Sequence, residues 1–217
     1  EEDFDAYQID PALDDRRYDT LVRATKSLIP EFAVFVEITG PYTCLWRVLG
    51  VEPALLSMVE RPRFVQHVAD LMARFQAEVG CEALRRVPGL LGILIDDDVA
   101  CNRGMLFSPA MYRAFFLRPL ETMCAALKAA GGRYIVYHSD GDIRSIIPAL
   151  IEAGVDAIHP LEPRAGMDVV KLQQTYGDRL SFIGNMDNSD LLRTGSPEAI
   201  RQDVRRKLTA TRGGGYI

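Results

Sequence analysis

Apolar and polar positions along this chain alternate between two periods. Short runs rich in Val, Ile, Leu and Phe occur at 31–38 (EFAVFVEI), 90–95, 134–137, 155–158 and 180–183. Each has the length and β-branched content of a strand. Between them lie stretches with apolar residues three and four apart, the spacing of helices that bury one face. Such helices are predicted at 16–28, 42–49, 62–86, 108–130, 143–153, 168–176 and 196–211. Punctuation supports the boundaries: Pro62 suits a first turn, Ser108-Pro109 and Ser196-Pro197 read as cap plus first position, and Gly131-Gly132, Gly154 and Gly177 stop helices. Pro119 predicts a kink in the 108–130 helix. The first fifteen residues are polar and acidic without clear periodicity.

Strand followed by helix, repeated, with strands too apolar to leave a face in water, predicts an α/β fold with a parallel sheet covered by helices. Five whole strands and the beginning of a sixth, at Tyr216-Ile217, fit either an open doubly wound sheet or part of a (β/α)₈ barrel. Because the chain stops two residues into an apolar strand, the pattern favours an incomplete barrel forming one domain over 1–217, with pieces missing at both ends.

Polar residues gather where the strands end, which is where α/β enzymes place their chemistry. The sharpest instance is Arg133 to Asp142 (RYIVYHSDGD): an apolar strand runs into His138, Ser139, Asp140 and Asp142. His138 and Asp140 are two apart, so their side chains point the same way. They can share a divalent metal, or simply a hydrogen bond that shapes the loop. Asp96-Asp97-Asp98 is the next candidate, either a solvated acidic turn or a group facing a pocket. At Ala157 to Pro163 (AIHPLEP), His159 reads equally as a core or a site residue. Glu162 is the stronger candidate there, since Pro160 and Pro163 stiffen its loop. Asn185 can donate to a substrate carboxylate, and Asp187 can either serve the site or cap a helix beginning near Ser189. His67 falls among core positions. Cys44 and Cys101 read as buried, inert thiols. Gly213-Gly214-Gly215 precedes a strand, not a helix, and so is no phosphate loop.

Composition narrows the classes. With 48% hydrophobic and 25% charged residues, the chain reads as a globular protein. A net charge of −5 without a basic stripe argues against nucleic acid. The apolar runs are too short for membrane spans, and no secretory leader pattern begins the sequence. Four scattered cysteines without a CxxC pair fit reduced thiols in a cytoplasm.

The ordered motifs together carry a family likeness. Gly40-Pro41-Tyr42-Thr43 is followed by Asp97-Asp98 with Ser108-Pro109-x-Met111-Tyr112, then His138-Ser139-Asp140-Gly141-Asp142-Ile143. Further on stand Gly154-Val155-Asp156, Pro160-Leu161-Glu162-Pro163, Gly166-Met167-Asp168, Gly184-Asn185-x-Asp187 and Gly213-Gly214-Gly215-Tyr216-Ile217. This set resembles the uroporphyrinogen decarboxylase superfamily, which includes the decarboxylases of heme synthesis and zinc-dependent cobamide methyltransferases. The resemblance implies a (β/α)₈ barrel, here spanning about the third strand to the start of the eighth, with its site at the carboxyl ends of the strands. The decarboxylases carry a tyrosine where this chain has Arg47, and an aspartate and arginines on early-strand loops expected before Glu1. The methyltransferases bind zinc through His-x-Cys on the fifth strand; here the motif is His138-x-Asp140.

The resemblance thus implies an enzyme with catalytic residues His138, Asp140 and Glu162. Asp97, Asp98, His159, Asn185 and Asp187 are expected to bind substrate. A divalent ion, zinc or a harder one, is expected on His138, Asp140 and Glu162, because carboxylate in place of thiolate favours harder metals. The leading functional expectation is methyl transfer to or from a corrinoid, with a corrinoid protein or a small molecule as partner; oligomerisation stays open. Uroporphyrinogen decarboxylation is the alternative, and a non-catalytic binding subunit with the same barrel the third.

Overall fold

The computed structural model describes residues 11–217. Most of the acidic opening segment therefore lies outside the described residues. Five strands make one wholly parallel sheet: β1 (Phe35–Thr39), β2 (Gly92–Asp96), β5 (Tyr134–His138), β6 (Ala157–His159) and β7 (Ser181–Phe182). Each pairs with the next along the chain, in the order β1-β2-β5-β6-β7. A doubly wound sheet reverses direction at a switch point. This one never does, so it is an arc of barrel wall. Tyr216 adds a parallel bridge to Phe182, at the position expected for a sixth strand. Among the described residues the arc does not close.

The pleat assigns the two faces. Ile38, Ile93, Ile95, Ile135, Tyr137 and Ile158 are fully or almost fully buried and join one core with residues of the covering helices. That core includes Leu45, Val65, Val68, Leu120, Met123, Leu127, Ile147 and Leu150. The intervening positions face the barrel axis. Register aligns four of them at the carboxyl edge, since Thr39 pairs with Asp96, Asp96 with His138 and His138 with His159.

Several boundaries differ from the sequence reading. Residues 31–34 are not strand: the backbone turns after Leu28, whose carbonyl accepts from both Glu31 and Phe32. β2 begins only at Gly92, where a side chain would collide with the Tyr134 carbonyl. A helix at Val51–Glu60, absent from the predicted set, follows directly on the Pro41–Leu49 helix; Gly50, at φ +88°, makes the corner. The 62–86 helix is as expected, spanning Pro62–Arg86. The predicted 108–130 helix is interrupted by a π-turn at Arg113–Leu117. Pro119 has no N–H for the Phe115 carbonyl, which instead receives the Gln66 side-chain amide at 3.4 Å. A small antiparallel hairpin, β3 (Ala100–Cys101) with β4 (Gly104–Met105), also escaped the pattern because its strands are two residues long.

Candidate functional site

The run Asp96-Asp97-Asp98 is divided by strand alternation, even past the formal end of β2. Asp97 turns outward, beneath the helix at Pro41–Leu49, and is fully buried. Its Oδ1 accepts from the Thr43 backbone N–H at 2.8 Å and its Oδ2 from the Tyr137 hydroxyl at 3.1 Å. Burial nevertheless dominates and pushes its carboxyl up to about 7, because the donors offset only part of the desolvation cost. The approach is so close that a Cβ on Gly40 would come 2.3 Å from the Asp97 Cβ.

Asp96 and Asp98 turn inward. There they meet His138, the three offering ligand atoms within 4.8 Å of one another. His138 Nε2 lies 3.8 Å from Asp98 Oδ1 and 3.9 Å from Asp140 Oδ1. Asp96 is held by Arg47 at 2.9 Å, while burial and then the neighbouring Asp98 raise its carboxyl above the ordinary value. On the far side of the ring, His138 Nδ1 stands 2.7 Å from His159 Nδ1. Burial, followed by the adjacent His138, lowers His159 below the usual imidazole value. One Nδ1 of the pair donates to the other, and His138 Nε2 faces the carboxylates.

The loops are pinned to each other. Asp98 Oδ1 accepts from the Asp140 N–H at 2.8 Å, and the Asp98 N–H donates to Thr43 Oγ1 at 3.0 Å. Val99 N–H donates to Ser139 Oγ at 3.1 Å. Gly141, at φ +83°, lies against the Cys101 backbone, and Asp142 N–H donates to the Cys101 carbonyl. Beside this cluster opens a cleft of about 530 Å³, within the range of small-molecule sites. Tyr42, Trp46, Val51 and Leu106 make its apolar side, and Asp98, Asp140 and Glu162 its acidic side.

Of the residues singled out from sequence, His138, Asp98, Asp140 and His159 come together. Glu162 reaches the cleft, but its Oε2 is occupied by the Gly141 N–H at 2.7 Å. Beside the metal set expected as His138, Asp140 and Glu162, the geometry brings another donor group together, His138 with Asp96 and Asp98. Asp96 was passed over because it lay outside the recognisable motif; its place at the strand's last inward position was the available signal. Asp97 faces away from the cleft. Asn185, buried and at φ +60°, spends its side chain on backbone, donating to the Leu161 and Met167 carbonyls and accepting from Val169 N–H at 3.3 Å. Asp187 Oδ1 accepts from the N–H groups of Ser189 and Asp190, both at 2.9 Å, as a turn cap does. Cys101 is exposed and lines the cleft, against the expectation of a buried thiol. Cys44 is buried, which drives its thiol up to about 12.

A divalent ion fits this chemistry. Two carboxylates and an imidazole with an oriented free nitrogen are the donors a hard or borderline cation takes, and no thiolate belongs to the group. The ring's second nitrogen is held from behind, as metal-binding histidines usually are.

The sequence model of the family described as uroporphyrinogen decarboxylase (URO-D) matches residues 1–217. A uroporphyrinogen decarboxylase from Chlorobaculum tepidum is 25% identical over 170 residues, covering 77% of this chain and 42% of that protein. Among solved structures, a methyltransferase from Methanosarcina mazei superposes with a TM-score of 0.74 at 18% identity, over 88% of this chain and 53% of that one. At that identity the second likeness speaks for the fold. The chain spans about half the length of either relative. Among the described residues no helix is long and apolar enough to cross a membrane.

Proposed function

The chain belongs to the uroporphyrinogen decarboxylase family, and on that premise we propose that it contributes the metal-binding half of a corrinoid-linked methyltransferase site. The observation that carries this reading is the convergence of Asp96, Asp98 and His138 at one barrel edge, within 4.8 Å. Three strand-end ligands with a positioned imidazole serve a bound cation better than they serve pyrrole protonation, which needs no metal. A divalent ion bound there supplies a Lewis acid that lowers the proton affinity of a methyl acceptor or donor heteroatom.

The chain's own groups do the rest. His159 holds His138 by its Nδ1 and fixes the ring so that Nε2 points into the cluster. Arg47 holds Asp96 and offsets part of the negative charge that Asp96 and Asp98 concentrate there. Asp140, 3.9 Å from the same nitrogen and exposed to the cleft, is placed to take or return the proton of an incoming substrate. Trp46, Val51 and Leu106 give the opposite side an apolar surface. Cytoplasmic location and a corrinoid-protein partner are parts of the same proposal.

Elemental analysis of the full-length protein tests the site. His138→Ala and Asp98→Asn are expected to lose stoichiometric divalent metal, while Glu162→Gln retains it. Equal metal content in wild type and His138→Ala would remove the proposal. The relative from Chlorobaculum tepidum favours a second reading, decarboxylation of uroporphyrinogen. Incubation with methylcobalamin and a thiol acceptor, and separately with uroporphyrinogen, distinguishes the two: demethylation of the corrinoid supports the first, and carboxyl loss from the porphyrinogen the second.

A further inference from the structure

A positive charge of the chain's own sits on the carboxylate cluster. Arg47 leaves the last turn of the helix at Pro41–Leu49, and its guanidinium forks between two strands. One Nη donates to Asp96 Oδ2 at 2.9 Å and the other to Thr39 Oγ1 at 3.1 Å. Thr39 and Asp96 are register partners at the carboxyl ends of β1 and β2. The Asp96 side chain is only 14% exposed, so its charge needs a partner. Asp98 Oδ1, by contrast, accepts from the Asp140 backbone N–H. The bond to Thr39 does not depend on Asp96, and the Arg47 side chain is half exposed. The guanidinium can therefore release one partner and keep the other. A divalent ion seated on Asp96, Asp98 and His138 would face Arg47 across the Asp96 carboxylate, and two positive charges at one partly buried carboxylate oppose each other.

We propose that Arg47 is a tethered counter-cation that competes with the divalent ion for Asp96. In the metal-free protein it neutralises the carboxylate and holds it in place. On metal binding it gives up Asp96 and stays on Thr39. Arg47 is then a positioning residue that acts through Asp96, and it sets how tightly the site holds its ion. The inference rests on the metal reading above and gives Arg47 a definite sign. Removing a competitor strengthens metal binding, whereas removing a residue that merely orients a ligand weakens it.

Calorimetric titration of the chelator-treated full-length protein with zinc chloride or manganese chloride, at one fixed pH, is the test. It compares wild type with Arg47→Met, Arg47→Gln, Arg47→Lys and His138→Ala. Both neutral variants should bind at least one of the ions roughly tenfold or more tighter than wild type. Arg47→Lys keeps the charge and should stay within about threefold of wild type. Raising sodium chloride from about 0.05 to about 0.5 M should weaken binding more in Arg47→Met than in wild type, because the uncompensated site carries the larger negative charge. Circular dichroism controls for folding, which two good helix formers at a half-exposed helical position preserve. Binding detectable in Arg47→Met but too weak to measure in wild type supports the inference. Affinity unchanged or lowered in both neutral variants, or Arg47→Lys as tight as Arg47→Met, overturns it. The two readings fail separately. Metal binding that is lost in His138→Ala but indifferent to Arg47 leaves the metal site standing and removes this role alone. Binding that tightens in Arg47→Met yet ignores His138→Ala refutes the histidine ligand and leaves Arg47 competing for the carboxylates. No binding in any of the proteins removes both.

Discussion

His138 and His159 share a single hydrogen bond between their Nδ1 atoms, 2.7 Å apart, across neighbouring parallel strands. Only one of the two nitrogens can carry the proton, so each ring fixes the tautomer of the other. His159→Phe removes the restraint without touching a proposed ligand, and it should weaken metal binding roughly 10–100-fold, the usual cost of losing a group that orients a ligand. Competition with a chromophoric chelator measures this. The same variant has a pH signature. Burial lowers His159 below its ordinary 6.5, so the unfolded chain takes up that proton first as pH falls. The wild type should therefore lose stability as pH drops through and below about 6.5, and His159→Phe should lose less. Equal acid sensitivity in the two proteins would contradict this.

Asp97 has the opposite sign. Its carboxyl ionises near 3.8 in the unfolded chain but only at about 7 when buried. The folded state thus binds the extra proton between those values. Stability is greatest on the acid side of the window, falls as pH rises through it by up to about 1.4 kcal/mol per pH unit, and levels off above 7. Asp97→Asn retains an oxygen for the Thr43 N–H and carries no charge. Urea denaturation at pH 4.5, 6 and 8 should show the variant gaining on wild type as pH rises; a constant difference would refute the buried-proton account.

Gly40→Ala should be among the most disruptive single-atom changes near the site. The new methyl would meet the Asp97 side chain at 2.3 Å, and neither partner has room to retreat, since Asp97 is fully buried. Overpacking of this kind costs about 1–3 kcal/mol. The displaced loop carries Asp96 and Asp98, so metal affinity should fall together with the melting temperature. An unchanged melt would show that the loop is softer than its hydrogen bonds imply.

Asn185→Ala separates a structural role from a binding one. Its amide ties the loop after β6 to the loop after β7, and its own carbonyl accepts from the buried Lys207 ammonium. Removing the side chain leaves buried carbonyls without donors, at about 1–3 kcal/mol. Denaturation should register the loss, while metal content stays stoichiometric in the folded protein. A variant with wild-type stability and weakened ligand binding would instead return Asn185 to the substrate.

The alternation of apolar strands with amphipathic helices, the proline and glycine boundaries, and the concentration of polar residues at strand ends were all legible in the sequence, because each is a property of a few neighbouring residues. His138, Asp98 and Asp140 were recognisable as candidates for the same reason. Which of these side chains meet is a different matter. Asp96, Asp97 and Asp98 are equivalent in composition, yet strand alternation sends the middle one into the core and its neighbours towards the barrel axis. His138 and His159 became partners through the register of β5 against β6, and Glu162 was drawn to the Gly141 N–H. Barrel wall over doubly wound sheet was likewise settled by strand order. Backbone pairing between segments tens of residues apart decides these contacts, and local periodicity carries no information about it.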